Sequence, residues 1–380
     1  MLISISNLTS DPRVLGHISV LSRLGDVTTI GFGEKPLAAR NHLQLHTRRA
    51  PFRTLFLVTS LLLRIHSLSG LLLGYLPQIK EFIRKNPDSF NLICANDANT
   101  LLVGSWLRRR FGCPLWVDMH EYAPLENEGD WRWRLLFQPF ATGVCRVVLP
   151  GAEIVSTVGR EIQTRYEREF GRPVELIRNT AHFTPRRLLP ERPRDDSRPF
   201  RLVHVGVAIR ARHLENMFEA IQGLADVSLD LFLLPTDPRY YAELFNLANH
   251  QTNAHVRQPV KSDDVINILS EFDCGLITIP PTNYNYANCL PNKFFQYIQA
   301  RIPVITGPIP EIGDLVTALG IGWVSETFEP LAIKTKVLEA HEHNRKEMAG
   351  RLDLAAERLA RHHDDRVRER IAERLLNRSG

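Results

Sequence analysis

Cysteine is scarce in this chain. Cys94, Cys113, Cys145, Cys274 and Cys289 are odd in number and none pairs with another at metal-ligand spacing. That argues against a disulfide framework and a zinc-thiolate centre, and reads as small buried residues in a reducing compartment. No Asp-x-Asp pair occurs, so nothing implies a bound divalent cation. The turn after the first apolar run, SNLTSDPRV, lacks the glycine-rich fingerprint of a dinucleotide site. The opening residues show no basic stretch followed by a continuous apolar core, so no signal peptide is expected. One run, Pro51 to Ile79, is strongly apolar, but Arg64, His66, Gly70 and Gly74 interrupt it. A membrane span needs about 20 predominantly apolar residues, so a span is not expected there. The net charge of +5 is too weak to argue for nucleic acid, and it is compatible with anionic substrates or anionic lipid.

What is present fits an ordinary globular protein. The 380 residues are 44% hydrophobic and 23% charged, enough for two domains with separate cores. Strand-like apolar runs alternate with helical periods, the pattern of parallel α/β sheets. The first unit opens on a strand at Leu2 to Ser6 and a helix from Val14 to Leu24, with Asp11 read as its N-cap and Pro12 at its first turn. Further strands are expected at Val27 to Phe32, Leu92 to Asn96, Leu115 to Met119, Ala152 to Val158 and Val174 to Ile177. Residues 185–199 (PRRLLPERPRDDSRP) are rich in proline and charge with no apolar period, which marks a linker. A second α/β unit then starts at Phe200 to Gly206.

Three places carry candidate chemistry. The run Asp118-Met119-His120-Glu121 stands where a strand ends, and ionisable groups cluster at such edges in active clefts. After Gly206, a basic loop with Arg210 and Arg212 leads into a helix; an arginine fork beside helix N–H groups suits phosphate. The richest stretch runs from Tyr284 to Val324 and reads as polar loop, helix, short buried strand, helix and strand. Asn288, Asn292, Lys293 and Gln296 would lie at a carboxyl sheet edge, Lys293 to neutralise a phosphate and the amides to bond hydroxyls.

That stretch, P-N-K-F-F-Q-Y-x-x-A-x-x-P-V-I followed by a glutamate and G-x-G, resembles the nucleotide-sugar end of the family-4 retaining glycosyltransferases. The resemblance extends over nearly the whole chain. It implies the GT-B architecture, two doubly wound Rossmann-like α/β domains facing a cleft. The first, acceptor-binding domain would span 1–184 and be joined by a C-terminal helix at about 360–380; the second, nucleotide-sugar-binding domain would span 200–359. It implies transfer of a hexosyl group from a nucleotide sugar to a glycan, lipid-linked sugar or small natural product, with retention and without a metal or cofactor, as in polysaccharide biosynthesis. Gly206, Arg210, Arg212, Asn288, Asn292, Lys293 and Gln296 would bind the donor; Lys293 and Arg212 would stabilise the departing diphosphate. His120 would contact the reacting sugar, and Arg13 would face the cleft. Glu121 and Glu311 are candidate carboxylates. Asn288 and Gln296 stand where the family usually has two glutamates, and Arg301 where it usually has glycine.

Two further readings stay open. A sugar-nucleotide 2-epimerase of the same layout would use His120, Glu121 and His204, and an inactive sugar-nucleotide-binding protein would tolerate the two amides. For Pro51 to Ile79 the alternatives are a buried core helix with a connector, or a surface patch resting on a membrane. A cytoplasmic protein, peripheral on the inner face of the membrane in the second case, is the expected location.

Overall fold

A computed structural model describes residues 1–47, 51–73, 75–189, 198–261, 264–343 and 346–377. The chain divides into two compact units: Met1–Asn179 with Asn283–Asn285 and Asp364–Gly380, and Thr180–Thr282 with Tyr286–His363. Residues 190–197 of the expected linker lie outside the described residues, as do Ser262 and Asp263 of an expected helix cap.

The first unit is built on a parallel sheet of strands β1 (Leu2–Asn7), β2 (Thr28–Phe32), β3 (Asn41–Gln44), β4 (Ile93–Asn96), β5 (Leu115–Met119), β6 (Ile154–Thr157) and β7 (Glu175–Leu176), in the order β3-β2-β1-β4-β5-β6-β7. The order reverses at β1, which is a doubly wound topology and puts the chain's functional edge at the carboxyl ends of β1, β4 and β5. β3 is short, polar and at the edge, and so carries no apolar signal in the sequence. The helix Pro12–Leu24 begins as expected, the Asp11 side chain accepting from the Arg13 and Val14 amides. Helix Arg361–Leu376 lays Ile371, Ala372 and Leu375 against Leu2, Val14 and Trp116.

The second unit holds strands β8 (Phe200–Val207), β9 (Val227–Leu234), β10 (Ala254–Arg257), β11 (Cys274–Ile277), β12 (Val304–Thr306) and β13 (Gly322–Val324), all parallel, ordered β10-β9-β8-β11-β12-β13. Its reversal lies at β8, so the edge after β8 and β11 is the corresponding place for a ligand. The expected polar loop Thr282 to Asn288 contains one helical turn, Tyr284–Ala287. Pro291 is the N-cap of helix Asn292–Gln299, one position earlier than its expected place in the first turn. The helix expected from Val265 to Phe272 stops at Leu269.

The helix Asn292–Gln299 packs on the sheet through Phe294, Phe295, Tyr297 and Ile298, all fully buried. Gly275 in β11 makes that approach possible: a Cβ there would fall 2.4 Å from the Tyr297 ring. The Val205 amide donates to the Tyr297 hydroxyl at 3.3 Å, tying the same helix to β8. Arg301 follows the helix with φ 59, a left-handed conformation that favours glycine. Its guanidinium compensates by pairing with Asp353 at 2.8 Å and donating to the carbonyls of Gln299 and Thr184.

The apolar run after Pro51 forms three helices, Pro51–Leu62, His66–Leu73 and Leu76–Lys85. Arg64 and Tyr75, at φ 56 and 53, break the chain between them. Among the described residues no helix is long and apolar enough to cross a membrane.

Gly275→Ala should push the Tyr297 ring off β11. A loss of about 1–3 kcal/mol in urea unfolding is expected, the cost of overpacking a tight core.

Candidate functional site

In the first unit, three polar side chains end three neighbouring strands. Asn96 in β4 is in register with Asp118 in β5, and Asp118 with Ser156 in β6. Asp118 is fully buried and is the hub of a network. Arg13 Nε and Nη2 donate to its two oxygens, each at 2.6 Å, and Nη1 donates to the Ile177 carbonyl at 2.6 Å. His17 Nε2 lies 2.8 Å from Asp118 Oδ2, and Ser156 Oγ donates to Oδ1 at 2.5 Å. Burial works against the carboxylate, but Arg13, His17 and His120 outweigh it and hold its pKa well below the ordinary value.

His120 leaves β5 directly above this hub. Its Nδ1 is 3.1 Å from an Asp97 oxygen and its Nε2 is 3.3 Å from Asp118 Oδ2. Its own backbone N–H donates to the other Asp97 oxygen at 2.9 Å. Burial lowers the imidazole's basicity, but Asp97 and Asp118 more than offset it, so the pKa is raised. A ring held between two carboxylates through both nitrogens is kept in its charged, doubly protonated form. Asp97 achieves this clamp with φ 63 and ψ 164, a conformation normally left to glycine, and stored strain of this kind concentrates at functional positions. Glu121, next along, is open to solvent but crowded by protein. Desolvation, aided by Glu126 and Asp97, brings its carboxyl up to about 7.

Arg13 was expected to face the cleft. It is 2% exposed, and its guanidinium donates to Asp118 and to the Ile177 carbonyl, so it positions Asp118. His17, Asp97 and Asp118 had no assigned role at the sequence level. The available signal was a polar residue closing each of two adjacent apolar strands, and a histidine one helical turn after Arg13.

The second unit gathers its basic residues around Gly206, at the end of β8. A Cβ on Gly206 would lie 3.0 Å from His204 Nε2, 3.1 Å from Lys293 Nζ and 3.4 Å from an Arg212 nitrogen. Lys293 Nζ is 3.2 Å from His204 Nε2. His204 is buried, and its Nδ1 lies 2.9 Å from the Leu276 carbonyl, which can only accept. The proton therefore sits on Nδ1, leaving the Nε2 lone pair to receive a Lys293 hydrogen. Burial, then Lys293, then Arg212 hold the His204 pKa well below the ordinary value and keep it neutral. Burial and the neighbouring Arg212 lower the Lys293 pKa to about 7, with Cys289 opposing. Among the described residues no carboxylate pairs with Lys293 or Arg212. Two cationic side chains around a bare glycine, with the N-terminus of helix Asn292–Gln299 beside them, form an anion cradle.

Arg210 does not join this group. It is exposed, donates to both oxygens of Glu243 at 2.6 and 2.7 Å, and lies over the Tyr240 ring. Gln296 lies one turn after Lys293 on the same helix and Asn292 just before it; Asn288 precedes them by the turn, half-buried. Glu311 opens the first turn of helix Pro310–Leu319, largely buried. No group of His, Cys, Asp and Glu suited to holding a metal ion occurs among the described residues.

No protein-family model and no curated protein matches the chain. Solved structures do. Anabaena HepE in complex with UDP-glucose aligns with a TM-score of 0.71 at 14% identity, over 98% of this chain and 99% of that one. Sucrose-phosphate synthase from Thermosynechococcus elongatus aligns at 0.74 and 13%, over 99% and 98% of the two chains. A glycosyltransferase from Rickettsia africae aligns at 0.65 and 13%, over 99% and 98%. At these identities the likeness shows the fold: each unit is Rossmann-like, and the architecture is GT-B.

Two outcomes check the first unit's network. Asp118→Asn strips the charge that pairs with buried Arg13, and a loss of about 3–5 kcal/mol in urea unfolding is expected. His17 is lowered to about 4 by burial, against attraction from Asp118. Between its ordinary value and about 4 the unfolded chain binds a proton that the folded one refuses. Stability should therefore fall as pH drops through that window, by up to about 3 kcal/mol.

Proposed function

We propose that the protein transfers a glycosyl group from a nucleotide-activated sugar to an acceptor. The observation that carries the reading is the convergence of Lys293 and Arg212 on Gly206 with no carboxylate partner among the described residues. Such a pair is suited to a diphosphate, whose charge grows as the glycosidic bond to the donor breaks. Fixed cations then stabilise the transition state more than the ground state, the role a metal ion plays in other transferases. The fold shared with HepE, seen in complex with UDP-glucose, supports the same reading.

In this proposal Lys293 and Arg212 hold the leaving diphosphate, and Gly206 lets the backbone approach it. Asn288, Asn292 and Gln296 bond donor hydroxyls as neutral amides. His120, held by Asp97 and Asp118, contacts the reacting sugar. Arg210 serves only to support Tyr240 and the loop. Retention of configuration, a hexosyl donor, independence of metal and an acceptor that is a glycan, a lipid-linked sugar or a small natural product belong to the same proposal. The 2-epimerase alternative loses one of its candidate groups, because the His204 lone pair is already engaged by Lys293. Radiolabelled nucleotide sugar incubated without acceptor separates the two: an epimerase converts it, a transferase leaves it nearly intact.

Lys293→Ala and Arg212→Ala should each weaken nucleoside-diphosphate binding at least tenfold, about 1.4 kcal/mol, in a thermal-shift series over the common bases. Unchanged shifts in both variants would sink the reading.

The lowered Lys293 pKa has a further consequence. Below about 7 the amine is already charged, and an arriving diphosphate takes up no proton there. Above it the diphosphate restores the ammonium. Calorimetry in buffers of different ionisation enthalpy at about pH 8 should record uptake approaching one proton, vanishing in Lys293→Ala.

A further inference from the structure

The helical hairpin made by Pro51–Leu62 and His66–Leu73 leaves a group of large apolar side chains exposed. A helix pair on a water-facing surface turns apolar side chains inward and polar ones outward. Here the inward face carries the buried Leu61 but also a hydroxyl pair, Ser60 Oγ 2.9 Å from Ser69 Oγ, both buried. His66 packs inward on Phe140, and Gly70 lies against Leu102. The outward face carries Leu55, Phe56, Leu62, Leu63, Ile65 and Leu68, between 37% and 65% exposed. Three of these surround Arg64, which the break at φ 56 places at the apex. An apolar surface this concentrated is costly in water unless something covers it.

The charge pattern says what covers it. From Lys35 to Lys80 the sequence contains no aspartate or glutamate, while it carries Lys35, Arg40, Arg48, Arg49, Arg53, Arg64 and Lys80. A second copy of the chain would bring its own Arg64 to the contact and be repelled. A bilayer with anionic headgroups offers hydrocarbon to the leucines and negative charge to Arg64 among them.

We propose that this hairpin is a membrane-docking surface, with Leu62, Leu63 and Ile65 entering the headgroup–acyl boundary of an anionic bilayer and Arg64 lying at headgroup level. The surface is on the first unit. It stands on its own observations and does not depend on the donor cradle, but it would bring a lipid-linked acceptor to the unit that holds His120.

The test is co-sedimentation of the full chain with vesicles of phosphatidylcholine, and with vesicles in which about a third of that lipid is phosphatidylglycerol. Sedimentation with the anionic vesicles, weakened by salt, is expected, with much less on neutral ones. The double substitution Leu62→Glu, Leu63→Glu should lower the partition coefficient by about tenfold or more. Arg64→Glu should weaken binding to anionic vesicles and leave the neutral ones unchanged. Both variants change exposed side chains, so the thermal shift with nucleoside diphosphates should be kept; that separates a failed docking surface from a failed donor site. Native protein that stays in the supernatant with both vesicle types overturns the proposal. So does a double variant that sediments like the native chain, or a hydrodynamic dimer that the double variant dissolves.

Discussion

Positive charge confined without a carboxylate partner among the described residues is the constraint around which the second unit is built. Lys293 and Arg212 are drawn to one glycine at the end of β8, where burial and the neighbouring Arg212 disfavour the charge on Lys293. A protein tolerates such an arrangement when the surroundings over-determine it. Tyr297 on the bare strand at Gly275 fixes the helix that carries Lys293, and His204 fixes the amine itself. The neutral tautomer of His204 is set in turn by a backbone carbonyl of the next strand. Burial first, and then repulsion from Arg212, lower the basicity of Lys293, a setting that a bound anion would relieve.

The first unit resolves its charges in the opposite way. Asp118 is surrounded by donors until its charge is fully met by Arg13, His17, Ser156 and His120. A buried ion pair of this kind adds little net stability over an apolar pair, but breaking it is expensive. Its effect is positional. It anchors the first helix to the middle of the sheet, and it leaves one member, His120, partly exposed and shared with strained Asp97. Asp118, its charge met on all sides, gives the His120 ring a rigid support.

Much of the architecture was legible in the residues. Apolar runs of four to six residues between turn signals gave the strands, because a parallel strand buried on both faces must be apolar throughout. The α/β class followed from order and spacing, and the resemblance implied the grouping of Lys293 and Arg212 near Gly206. Where the reading fell short, the cause was local information being insufficient. β3 is a polar edge strand with no periodic signal. Arg210 and Arg212 are two residues apart on a tight turn and point to different partners, Glu243 and the Gly206 cradle, which composition cannot distinguish. Arg13 looked available because its loop is polar, yet its partner lies 105 residues away.

The sequence by itself determined the alternation of strands and helices, the caps such as Asp11, and the inventory of basic and amide groups, since these depend on neighbours within a few positions. Tertiary structure decided which charges meet. Asp118 is in register with Asn96 and Ser156, and His204 reaches Lys293 across 89 residues of chain, only because parallel strands bring their carboxyl ends to one edge. It also decided which side of the leucine-rich hairpin faces outward, because that depends on Gly70 and His66 finding their places on neighbouring helices. Pairings between distant residues are fixed by the packing of the sheet, and no stretch of sequence short enough to read carries them.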